Sequence, residues 1–293
     1  MAYADLGDGP AVVLLHGFPT SSHLWRRDAP LLASRMRVVV PDLLGHGASI
    51  VDPGADLSVA GQAEAVRALL DMLGVGEFAV AGHGLGGAVA WELARDPGAR
   101  ALVLIDAEGL DGRPPATAAT ALAGADGAAA AADVPAAARR ILEAALARSP
   151  ASAETLDPYV APWTVDPVRL TAAAAALARP APPADPAGLE PALPAFVLWG
   201  EEDRFAPPAE AERLGEALDG ATVALLPGCG HLLPEDAPET AGPLVYRWLR
   251  TRYLADLPSA DAPVPVFLHR PTDEELAAFG ARDDWFEPAG GDA

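Results

Sequence analysis

Residues 80–88 read VAGHGLGGA, and they join two kinds of sequence. Before them lies a short apolar run, EFAVA (77–81). After them, residues 85–95 carry a helical pattern. In between, Gly82, Gly84, Gly86 and Gly87 crowd the junction. A strand that turns sharply into a helix needs backbone angles and close approaches that glycine tolerates best. Gly86 and Gly87 let the helix lie against the strand it follows.

The same alternation extends in both directions. AVVLL (11–15), RVVV (37–40), ALVLI (101–105), AFVLW (195–199) and TVALL (222–226) join EFAVA as short continuous apolar runs. Continuous rather than alternating apolar character marks a parallel strand covered on both faces. Helical patterns lie near 58–73, 85–95, 208–218 and 238–255, so the chain reads as α/β with a doubly wound, mostly parallel sheet. The alternation breaks at 107–193, an Ala- and Pro-rich segment. Its PAAARRILEAALAR (135–148) and VRLTAAAAALA (168–178) have high helix propensity, which predicts a mostly helical insertion between two strands. Beyond residue 256 a further piece carries Thr272 and Glu275 in capping-box spacing, predicting a short helix near 273–280.

Composition narrows the function. The 293 residues carry 41 acids against 20 bases, a formal net charge of −21. That balance argues against nucleic acid or an anionic membrane as partners. All the bases are arginine, so Schiff-base chemistry on a lysine side chain is excluded. No apolar run approaches the roughly 20 residues of a membrane span. One cysteine allows no internal disulfide framework, and with an N-terminus that lacks a signal-peptide pattern it points to the cytoplasm. No Cys/His cluster has metal-ligand spacing, and no cofactor motif is found.

Several motifs, in order, resemble the α/β-hydrolase family. LLHGFPTSSHLW (14–25) is similar to its His-Gly loop and VVVPDLLGHGAS (38–49) to the loop that follows. The junction at 82–86 is similar to its G-x-S-x-G elbow, LWGEEDRFAP (198–207) to its acid loop and LPGCGHLLPEDAPE (226–239) to its histidine loop. The resemblance implies a hydrolase-fold core over 1–106 and 194–256, a helical cap over 107–193 and a C-terminal extension over 257–293. It also implies Asp203 as the acid, His231 as the base, and an oxyanion hole from the Phe18 and Leu85 N–H groups. At the serine position stands Gly84, which has no nucleophile.

What remains is a histidine oriented by a carboxylate and poised near neutral pH. Such a group can move a proton on a small or medium, largely apolar carbonyl substrate, including a peptide-like one. Epimerisation, elimination or cyclisation would follow; alternatively it activates water. Two other readings stand beside this one: a serine esterase inactivated at position 84, and a non-catalytic binding protein. Among neighbouring residues, His16, His83, Tyr159 and Trp163 are candidate substrate contacts, with packing as the competing role. Asp106, at a strand end, is the rival acid. Cys229, on the histidine's own loop, is badly placed as a substitute nucleophile. His46, Ser49, Ser21 and Ser22 suit turn and capping roles.

Overall fold

The computed structural model describes residues 1–52, 54–117, 134–179, 183–189 and 193–254. Among them, seven strands form one sheet in the order β1-β3-β2-β4-β5-β6-β7. These are β1 (Tyr3–Leu6), β2 (Ala11–Leu15), β3 (Arg37–Pro41), β4 (Phe78–His83), β5 (Ala99–Ile105), β6 (Ala195–Gly200) and β7 (Thr222–Leu226). Each apolar run becomes a parallel strand. The sequence pattern does not anticipate β1. All four of its residues are exposed, and it pairs antiparallel with β3 at the sheet edge.

Alternate residues of the strands face opposite layers. Val13, Leu15, Val39 and Val80 pack with α2 (Val59–Met72), α3 (Leu85–Leu93) and the helix Pro208–Ala217. Val12, Leu14, Val38 and Ala81 pack with α1 (Asp28–Ala33) and the helix Pro238–Arg252. The chain thus belongs to the doubly wound class the sequence predicts. From β2 it winds outward to β3 and then crosses to β4 on the other side of β2. The crevice beyond the carboxyl ends of β2 and β4 is therefore the switch point where sheets of this kind hold ligands.

Among the described residues, the helices α4 (Val134–Ala145), α5 (Ala153–Val165) and α6 (Pro167–Leu177) lie between β5 and β6. The first and last fall on the two stretches of high helix propensity. The middle one contains Pro158 and Pro162, each of which removes an intrahelical donor. It holds because Ser152 caps it through the Thr155 N–H and because Leu156, Tyr159, Val160 and Trp163 form one buried face at helical spacing. Residues 118–133, 180–182 and 190–192 of the insertion, the helix expected near 273–280 and the whole 257–293 extension lie outside the described residues. Among the described residues, no helix is long and apolar enough to cross a membrane.

Candidate active site

The junction at 82–86 is built by backbone contact. A Cβ on Gly82 would lie 2.0 Å from the Gly86 carbonyl oxygen, and one on Gly86 would lie 2.4 Å from that of Leu15. Gly84 turns the chain at φ +53, and Leu85 opens α3. The Gly84 carbonyl accepts from Gly87 N at 2.9 Å and from Glu108 N at 3.0 Å, and Gly84 N donates to Ile105 O at 3.0 Å. The turn is therefore tied both to its helix and to the segment that follows β5.

His231 arrives on the loop after β7. Its Nδ1 lies 2.9 Å from Asp203 Oδ2. The other Asp203 oxygen accepts the Phe205 and Ala206 N–H groups at 2.8 and 2.9 Å, which fixes the carboxylate. His83 Nε2–H donates to the His231 carbonyl at 2.6 Å, and the Phe205 ring packs edge-on to the imidazole. The remaining ring nitrogen, His231 Nε2, looks at Gly84: a Cβ there would lie 3.3 Å away.

Nε2 also lies 3.5 Å from Glu108 Oε2. Glu108 is buried, and its two oxygens accept the Thr117 N–H at 3.0 Å and the Thr117 hydroxyl at 2.6 Å. Burial opposes charge on the His231 ring, but Asp203, by charge and hydrogen bond, and then Glu108 outweigh it. They hold the imidazole well above its ordinary value. A ring poised near neutral pH, as the sequence suggests, allows for one carboxylate; the structure presents two. Burial also opposes charge on Glu108, yet His231 and Thr117 bring its pKa below the usual glutamate range.

Asp106 sits behind this group at φ +45 and accepts the Gly200 N–H at 2.8 Å. Burial, reinforced by the Asp203 charge, raises its pKa well above the carboxylate range. The acid on His231 Nδ1 is Asp203.

The other sequence-derived candidates fall into three places. Phe18 follows Gly17, whose Cα is 3.4 Å from a Cβ built on Gly84, so the 16–18 loop lies against the turn. His16 uses both ring nitrogens there, donating to Gly17 O and accepting from Leu43 N, each at 2.9 Å. Trp163 donates to Pro19 O at 2.9 Å and packs edge-on to His46. Tyr159 lies further out, donating to Glu235 Oε1 at 2.5 Å and accepting from Arg26. Burial depresses His83 and His46 to about 3, so both stay neutral. Cys229 is buried, and its thiol is pushed up to about 11 chiefly by desolvation. Ser49 bridges Asp42 O and Ala2 N, and Ser21 caps the 3-10 turn Ser22–Trp25.

Sequence reasoning missed three acids around His231. Glu108 stands two residues beyond Asp106 at the carboxyl end of a central strand; a pair of acids at that place was the available signal. Asp236 accepts four backbone N–H groups, from Ala147, Arg148, Ser149 and Gly230, and so ties the end of α4 to the histidine loop. Glu235 receives Arg26, Arg27 and Tyr159.

Beside that cluster Asp28 is buried. Desolvation, with the Glu235 charge adding to it and Arg27 and Arg26 opposing, raises its pKa to about 7. Because the folded value exceeds the unfolded one, Asp28's contribution is fully present below about pH 4 and is lost as pH rises through 7. Full ionisation would cost roughly 4 kcal/mol at 1.36 kcal/mol per pKa unit. Thermal melts between pH 5 and 9 should show a falling midpoint for the wild type and a flatter profile for Asp28→Asn. Equal slopes would contradict the assignment.

A cleft of about 500 Å3 opens beside the site, with Glu108, Leu110, Pro115, Phe205 and Ala209 in its wall. Arg113 and Arg213 stand at it, each paired with its own carboxylate, Asp111 and Glu210.

The fold agrees with what known proteins show. The α/β-hydrolase fold model matches residues 10–238, and the chain belongs to that family. A thermophilic esterase from Thermogutta terrifontis superposes with a TM-score of 0.72 at 28% identity, covering 85% of this chain and 93% of that one. A fluoroacetate dehalogenase from a Burkholderia species is 43% identical over 94 residues, 31% of each chain. A soluble epoxide hydrolase from a Corynebacterium strain is 41% identical over 96 residues, 33% of each. The matched part spans about a third or less of the curated relatives' length. The esterase, the dehalogenase and the epoxide hydrolase are hydrolytic enzymes by name.

Proposed function

We propose that this chain is an enzyme of the α/β-hydrolase fold whose nucleophile position is Gly84 and whose working group is His231, oriented by Asp203. One observation carries the reading: His231 keeps its carboxylate partner at 2.9 Å and aims its free nitrogen at a residue with no side chain. Acyl transfer through a serine is impossible there, while proton transfer is not. The Phe18 and Leu85 N–H groups form an oxyanion hole for the developing enolate or tetrahedral oxygen, and Leu85 adds the positive end of α3. The substrate is a small or medium, largely apolar carbonyl compound, in keeping with a cleft whose wall carries Leu110, Pro115 and Phe205 beside the ion-paired Arg113 and Arg213. The net charge of −21 and the single buried cysteine support small-molecule chemistry in the cytoplasm over a nucleic-acid or membrane partner.

The test is isotopic. Apolar esters, thioesters and ketones are incubated with the enzyme in deuterium oxide and, separately, in ¹⁸O-water. Proton transfer at carbon leaves deuterium beside the carbonyl and no ¹⁸O. Water-mediated hydrolysis places ¹⁸O in the product. Absence of both labels across the panel would remove the enzymatic reading.

A further inference from the structure

The groups facing His231 come from three directions: Asp203 from the loop after β6, Asp106 and Glu108 from the segment after β5, and His83 from β4. Burial pushes Asp106 toward its protonated form and depresses His83 to about 3. The charged neighbours are Asp203 on Nδ1 and Glu108 on Nε2, so the ring is bracketed by carboxylates. In a serine enzyme Nε2 faces a hydroxyl; here it faces Glu108 at 3.5 Å, longer than a formed hydrogen bond. Catalytic contacts of this kind often tighten only when substrate is bound. Among the described residues Glu108 forms no second ion pair; it is anchored by Thr117 and by its own N–H to Gly84 O, and it reaches the wall of the cleft.

We propose that Glu108 is a catalytic residue, a proton acceptor working beside the His231 imidazolium as proton donor, and that the pair serves a 1,3-proton shift along a β,γ-unsaturated carbonyl compound. This rests on the reading of His231 as the working group. The placement selects the reaction. Epimerisation with a separate acid and base needs them on opposite faces of one carbon. Glu108 Oε2 and His231 Nε2 stand 3.5 Å apart, so in this proposal the pair acts on a single face of the substrate. One face suffices when the proton leaves the α carbon and another arrives at the γ carbon.

The step balances without a co-reactant. Glu108 takes the α proton, and the electron pair passes to the carbonyl oxygen held by Phe18 and Leu85 N–H. As the dienolate collapses, the Nε2 proton is delivered to the γ carbon. The Glu108 carboxyl proton then crosses to Nε2 and restores the starting state.

Two measurements test this. The first is NMR of wild type and Glu108→Gln, with ¹⁵N-imidazole and ¹³C-carboxyl labels. In the wild type both ring nitrogens of His231 should remain protonated above the ordinary imidazole range, and Glu108 and His231 should titrate as a coupled pair. In Glu108→Gln the His231 proton affinity should fall at least about tenfold. Identical His231 titrations, or independent titration of the two groups in the wild type, would overturn the proton-sharing. The wild-type experiment stands even if the variant fails to fold.

The second measurement uses but-3-enoyl N-acetylcysteamine thioester, followed by absorbance as it becomes the conjugated isomer. The wild type should isomerise it, and Glu108→Gln should lose about 10²-fold or more, with part of the rate regained by Glu108→Asp. An inert wild type would overturn the 1,3-shift. If deuterium still entered other carbonyl compounds, the role of His231 would survive and that of Glu108 would not.

Discussion

Gly84→Ser is expected to hydrolyse p-nitrophenyl acetate at least about 10²-fold faster than the wild type, because the proposed reading leaves only the attacking oxygen absent from the acyl-transfer arrangement. The rate should climb with pH well past neutrality. A serine needs His231 as a base, and the Asp203 and Glu108 carboxylates hold the ring protonated above its ordinary value. The neutral fraction therefore grows as pH rises through that raised pKa. Adding Glu108→Gln should move the climb to lower pH. The new side chain has a structural cost: φ is +53, and its Cβ would stand 3.3 Å from Nε2, so the ring must give by a few tenths of an ångström. A loss of about 1–3 kcal/mol in thermal stability is expected. If the folded variant is inert at every pH, Phe18 and Leu85 do not form a working oxyanion hole, and the binding-protein reading gains.

The parallel strands could be read from sequence because burial on both faces leaves β2 apolar throughout and β4 apolar over residues 78–81. β1 could not, since its stability comes from edge pairing with β3 and its four side chains are exposed. α5 was hidden by its two prolines and revealed only by its buried face. The Asp203–His231 contact was legible because each residue sits in a local motif whose order survives in one dimension. Glu108 was not. Its approach to Nε2 depends on the left-handed turn at Asp106, on the hydrogen bond from its N–H to Gly84 O and on the grip of Thr117. Those are contacts between segments, and no spacing rule encodes them. The part of the His231 pKa rise that Glu108 adds to that of Asp203 was hidden for the same reason.

His231→Ala is expected to abolish proton transfer, lowering turnover by about 10²–10⁴, the usual contribution of a positioned acid or base. Cys229→Ala should leave it within about twofold. The reasoning concerns which atoms can still handle a proton. Lysine is absent from the chain. The Cys229 thiol, raised to about 11, is neither a ready nucleophile nor a base near neutral pH. His83 and His46 are held neutral by burial and hydrogen-bond to backbone carbonyls. Removing His231 also strands Asp203 and Glu108, two buried carboxylates that now share one imidazolium, and breaking such a group typically costs about 3–5 kcal/mol. A melt must therefore accompany the assay. His231→Gln, which fills more of the space, separates loss of fold from loss of chemistry. The decisive readout is deuterium incorporation beside the carbonyl at a temperature where both variants are folded. Retention of wild-type exchange in either folded variant would show that the reacting proton never passes through position 231.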